Sequence, residues 1–142
     1  MENAKKNLKF ISAVMLICLT FSFIREVLEI FLTNVKLDNI SFEYIIIAKI
    51  VICLIYAVMF LPQIYVGVKG IKVSKKPDSS KAHIIWAVIF IVFAAFAAIS
   101  ATINIAKSVD VTENVFELID AAIDFAFYFL YVKYAKQILQ AA

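Results

Sequence analysis

Residues 21–30 read FSFIREVLEI, and within them Arg25, Glu26 and Glu29 interrupt a run that is otherwise apolar enough for lipid. Lys49, Asn104, Asp120 and Asp124 interrupt three later apolar runs in the same way. Charges in hydrocarbon are costly, so they face a bundle interior, pair or meet water, and they often mark ion or substrate paths. Spacing of three and four residues puts Arg25, Glu26 and Glu29 on one broad helix face, with Ser22 one turn further in. The same spacing runs through Glu117, Asp120 and Asp124 and on to Tyr128 and Tyr131, and through Lys49, Cys53 and Tyr56. Four carboxylates, Glu26, Glu29, Asp120 and Asp124, face two cations, Arg25 and Lys49. The negative excess calls for protonation, hydration or a bound cation. The expected chemistry is therefore binding or transport of a cation or cationic small molecule at an acidic site. Arg25 and Lys49 would orient the carboxylates, and Asn104 would lie in the same layer. The competing reading pairs Arg25 with Asp124 and Lys49 with Glu29. Such pairs specify packing without chemistry, as in an accessory or scaffold subunit whose charges dock a partner helix.

The elements that position these residues follow from composition. The chain of 142 residues is 64% hydrophobic, with only two glycines and two prolines. Its mean hydropathy is +0.94. A soluble domain is about half apolar, and a small one leaves much of its surface exposed, so lipid is the expected solvent. Four apolar stretches, 8–33, 43–70, 80–107 and 113–139, are each long enough to cross roughly 30 Å of hydrocarbon at about 1.5 Å per residue. They are continuous, not alternating, which excludes barrel strands. The expected fold is all-α: a single transmembrane domain over residues 1–142, built as an antiparallel four-helix bundle, multi-pass in the cell membrane. The opening lysines and apolar core resemble a secretory signal. No small-residue cleavage site follows, so the segment reads as an uncleaved first helix.

Lysine placement orients the bundle. Lys5, Lys6 and Lys9 precede the first helix, Lys133 and Lys136 end the last, and Lys69, Lys72, Lys75, Lys76 and Lys81 crowd the central connection at 69–81. The other two connections carry only Lys36 and Lys107 and are acidic, with Asp38, Glu43, Asp110, Glu113 and Glu117. The positive-inside rule places both termini and the central loop in the cytoplasm. Arg25 then lies roughly 12 Å below the outer surface, Lys49 roughly 10 Å, Asp120 roughly 9 Å and Asp124 roughly 15 Å. The polar residues thus share the outer half of the membrane. The five loop lysines are expected to touch anionic headgroups on the cytoplasmic face, with no role for nucleic acid. Within the loop, Gly70 is expected to end helix 2, Pro77 to forbid continuation, and Ser79 or Ser80 to cap helix 3. His83 and Trp86 are expected at the headgroup level, and Pro62 to kink helix 2. Ala94, Ala98 and Thr102, and Ala97 with Ala101, give helix 3 small residues for close packing.

Other chemistries find little support. Cys18 and Cys53 lack a CxxC arrangement and read as small hydrophobes. Glu26-x-x-Glu29 lacks the histidine of a di-metal bundle site, though a hard cation on oxygen ligands is compatible with it. No nucleophile motif, phosphate loop or nucleotide fingerprint occurs, so no enzyme activity, catalytic residue or cofactor is expected. Asn39-Ile40-Ser41 matches a glycosylation acceptor, without meaning in a bacterial chain. A homodimer or a larger membrane complex is compatible with four helices that bury little of their own surface.

The segments LPQIYVGVKGIKVSKKPDSSKAHIIW and YFLYVKYAKQIL resemble uncharacterised small four-pass membrane proteins of low-GC Gram-positive bacteria. The resemblance implies four spans and no particular activity. Small multidrug transporters also have four helices and a glutamate in the first. This chain departs from them: its glutamates lie near the outer end of helix 1, it is poorer in glycine, and its fourth helix carries acids.

Overall fold

The computed structural model describes residues 1–33 and 41–141. Lys36, Asp38 and Asn39, with its glycosylation match, lie outside them. Four helices follow in order: α1 (Glu2–Leu32), α2 (Phe42–Lys75), α3 (Ala82–Ala106) and α4 (Val111–Gln140). Long apolar runs almost free of glycine and proline leave the backbone little alternative, since each helix satisfies its own amide groups. α1, α2 and α3 are long and apolar enough to cross a membrane. α4 is not among them; Glu113, Glu117, Asp120 and Asp124 lower the apolarity of its first half. Large apolar side chains such as Phe21, Leu54, Phe93 and Phe129 stand exposed on the outer walls, as on a protein that meets lipid.

Side-chain pairs fix the directions of the helices. Phe23 meets Phe60 and Lys49 reaches the end of α1, so α1 and α2 are antiparallel. Asn104 meets Asn114 while His83 meets Tyr131, so α3 and α4 are antiparallel too. Gln63 pairs with Tyr128 and Val66 with Tyr131, three residues on in both helices, so α2 and α4 run the same way. The strongest contacts are within the α1–α2 and α3–α4 hairpins; α1 and α3 lie across the diagonal, with no close backbone approach among the described residues. The start of α1 and the end of α4 lie at one end, the near end.

Packing is lopsided along the bundle axis. Leu8, Ile11, Met15, Val66, Val73, Ile84, Tyr131, Val132, Ala135 and Ile138 form the core, all toward the near end. Beyond it the hairpins separate. α3 and α4 stay in contact to the far end through small residues. Ala87, Ala94 and Ala101 are buried at seven-residue intervals, facing Asn114, Ala121, Tyr128 and Ala135 at the same interval. A seven-residue period keeps two helices in contact along a left-handed coil. The expected close-packing stripe of Ala94, Ala98 and Thr102 is therefore corrected. Thr102 is exposed, and its hydroxyl donates to the Ala98 carbonyl at 2.7 Å.

One further expectation is revised at the end of a helix. α2 does not stop at Gly70 but continues to Lys75, so Lys69, Lys72 and Lys75 are helical and the connection is only Lys76–Lys81. Pro62 lies inside α2. At the far end, Ser108 (φ 57°) and Asp110 (φ 37°) adopt left-handed backbone to turn α3 into α4. Buried Asn114 holds that turn: its Nδ2 donates to the carbonyls of Val109 (3.0 Å) and Asp110 (3.2 Å), and its Oδ1 accepts from Asn104 Nδ2 (3.2 Å). Asn114→Ala is expected to destabilise the protein by about 1–3 kcal/mol, because it leaves these partners unsatisfied. Chemical denaturation in detergent checks this, and an unchanged midpoint would remove Asn114 as the keystone of the turn.

Candidate functional site

The far half of the bundle is open because α1–α2 and α3–α4 diverge there. A cavity of about 720 Å³ occupies the gap between α1, α2 and α4. Arg25, Glu26 and Glu29 line it from α1, Lys49 and Tyr56 from α2, and Glu113, Glu117 and Asp120 from α4. The stripes of three- and four-residue spacing converge because each helix turns its polar face into this gap. Five carboxylates stand against two cations around it.

The ion pairs differ from the expected ones. Arg25 pairs with its neighbour Glu26 at 3.2 Å and reaches Asp120 on α4 at 4.0 Å, not Asp124. Its side chain is 65% exposed, so these contacts are screened and hold the helices together only weakly. Lys49 does not pair with Glu29. Its Nζ donates to the carbonyls of Phe31 (3.1 Å) and Thr33 (2.9 Å), the exposed negative end of α1. Lys49 therefore caps a helix while lining the cavity, and Glu29 is left without a cation among the described residues. Asn104 lies outside the cavity, its amide spent on the α3–α4 turn. Asp124 sits one turn deeper than Asp120 and lines two other spaces. One is a chamber of about 210 Å³ between α1, α2 and α4; the other, about 570 Å³, lies between α2, α3 and α4. Cys18 is exposed and Cys53 half-buried; both are free thiols.

Among the described residues, no three His, Cys, Asp or Glu side chains gather closely enough to chelate a metal ion. The carboxylates are spread around a wide opening instead. That arrangement sets up a negative field over a volume, which suits an extended or multiply charged organic cation better than a single hard ion needing six or more oxygens.

A second polar cluster lies at the near end, where the sequence offered little warning. His83, placed at the headgroup level by its position, is 1% exposed. Its ring meets the Tyr131 hydroxyl at 2.7 Å, and that hydroxyl donates to the Val66 carbonyl at 2.9 Å. A hydroxyl has one proton to give and the carbonyl can only accept, so His83 Nδ1 carries the hydrogen and donates to Tyr131. Ser12 of α1 is buried beside them, with its Oγ unpartnered. Gly70 completes the junction; a Cβ there would lie 2.5 Å from Tyr131 Cε2 and would also collide with Ser12 Oγ. Four helices thus meet at one point. The only sequence clue was the coincidence of a lone histidine with a tyrosine on the acidic stripe of α4. Nearby, Lys69 forms an ion pair with Asp78. Together with the Ser80 backbone N–H at 2.9 Å, it holds the Asp78 carboxyl below the usual carboxylate range. Lys69 thus ties the α2–α3 connection, while Lys72, Lys75, Lys76 and Lys81 are exposed.

No protein-family model, curated protein or solved structure matches the chain.

Proposed function

We propose that this is a membrane protein whose far end faces outward and binds an organic cation in its acidic cavity, with both termini cytoplasmic. The observation that carries this reading is the cavity itself. It draws five carboxylates from α1 and α4 into one opening, against two cations, one of which is committed to the end of α1. Glu26, Glu29 and Asp120 hold the cation, Glu113 and Glu117 extend the negative mouth, and Arg25 positions Glu26 and Asp120. The exposed near-end lysines rest on anionic headgroups. The packed near end closes the route through the bundle, so the conformation described is one of binding; transport requires the junction at Tyr131 to part.

Spermidine serves as the probe. It is expected to raise the thermal midpoint of the detergent-purified protein in a saturable way that weakens with salt. The double substitution Glu26→Gln/Asp120→Asn should cut apparent affinity about tenfold or more, whereas Lys107→Gln on the α3–α4 turn should not. A spermidine response that survives the double substitution ends the proposal. If it vanishes on addition of a co-purifying membrane partner, the carboxylates belong instead to a docking surface.

A further inference from the structure

Below the acidic cavity, one turn further along α1, α2 and α4, lies the chamber of about 210 Å³. Its walls include Ser22, Phe60, Gln63, Asp124, Phe127 and Tyr128. The composition differs from the opening above: one carboxylate and three aromatic rings. We propose that this chamber is a binding site for a small methylated ammonium group, a quaternary head of the size of tetramethylammonium or choline. The inference rests on the reading that the far end admits cations.

Three physical features support that ligand class. A single carboxylate, Asp124, matches a single positive charge. Aromatic faces attract a cation through the ring quadrupole, most strongly when water is excluded. A quaternary ammonium has no N–H to leave unsatisfied, so the apolar part of the wall costs it little. The volume is below the roughly 300–1,000 Å³ of sites for drug-sized molecules, so only a head group fits.

The rings are also held in place from behind. Phe23, outside the chamber, packs edge-on against Phe60 with centroids 5.3 Å apart. Phe90 of α3, on the opposite side, packs against Tyr128 at 5.1 Å. Tyr128 in turn reaches Gln63 across the floor at 3.5 Å. Two of the three aromatic walls are therefore fixed before any ligand arrives, which lowers the entropic cost of binding.

The test uses the full chain in detergent with tetramethylammonium chloride, against sodium chloride at equal ionic strength. The neutral isostere of choline, 3,3-dimethyl-1-butanol, is the second control. Ring currents should move the tetramethylammonium methyl proton resonance upfield on binding, and the neutral alcohol should show no saturable shift. Asp124→Asn should abolish the effect, and Phe60→Leu should weaken binding about tenfold. Glu26→Gln/Asp120→Asn, expected to weaken spermidine binding about tenfold or more, should leave tetramethylammonium affinity within about threefold. Loss of spermidine binding with tetramethylammonium unaffected by Asp124→Asn overturns the chamber alone. Absence of any upfield shift in the unsubstituted protein overturns it whether or not the variants fold.

Discussion

Gly70→Ala is expected to lower stability by about 3 kcal/mol, the upper end of the range for overpacking a core. The reason is geometric. α2 passes Gly70 between Ser12 of α1 and Tyr131 of α4, and the new methyl would fall 2.5 Å from the Tyr131 ring and closer still to the serine oxygen. Neither neighbour can retreat, because Tyr131 is pinned by His83 and Val66 and Ser12 sits on the buried face of α1. Gly67→Ala provides the contrast. The atoms nearest its methyl would all belong to Leu16, with the closest approach 2.6 Å to Cγ, and a leucine side chain can change rotamer. The double variant Gly70→Ala/Ser12→Gly should recover part of the loss, since one of the two obstructing groups is gone. Thermal or denaturant unfolding in detergent measures all four proteins. Equal stability of Gly70→Ala and the unsubstituted protein would show that the helices do not approach as closely as described.

Tyr131→Phe is expected to cost about 2 kcal/mol. Helix–helix hydrogen bonds in membrane proteins average only about 0.6 kcal/mol, so one lost bond would be modest. Here the lost hydroxyl serves two partners, and it strands the His83 Nδ1–H in a site 1% exposed. An unmade buried bond costs more than a made one contributes. His83→Leu should be milder, because Tyr131 keeps its bond to Val66. In Tyr131→Phe/His83→Leu both partners are apolar, and the combined loss should fall short of the sum of the single losses. Additive losses, or a Tyr131→Phe protein within about 0.5 kcal/mol of the original, would remove the junction from the interactions that hold the near end closed.

Continuous apolar runs made the helices legible before any coordinates, and the lysine pattern predicted how they alternate. Depth along each helix, counted from its end, put Arg25, Glu26, Glu29, Lys49 and Asp120 in one layer, and they do surround one cavity. Depth says nothing of the partner across a gap, which is why the ion pairs came out differently. Lys49 found backbone carbonyls, groups that every helix end presents and no side-chain count records. Asn104 was at the right height but was claimed by a turn whose left-handed residues are serine and aspartate, not the glycines that would have signalled it. His83 and Gly70 were misjudged for a shared reason. α1 begins at Glu2 and α2 runs to Lys75, so the helices overrun the membrane-length segments and bury a layer expected to be interfacial. The chamber around Asp124 was partly readable from the acidic stripe, but its aromatic walls come from two helices and depend on their rotation.

The hairpins are joined firmly at one end and stand apart at the other, so they behave as a pair of tweezers. Taking Tyr131 and Gly70 as the pivot, the arms beyond it extend roughly 30 Å. A rotation of one degree there displaces the tips by about half an ångström, the lever arm doing the amplification. Side-chain volume at the pivot is therefore expected to set the width of the distant mouth.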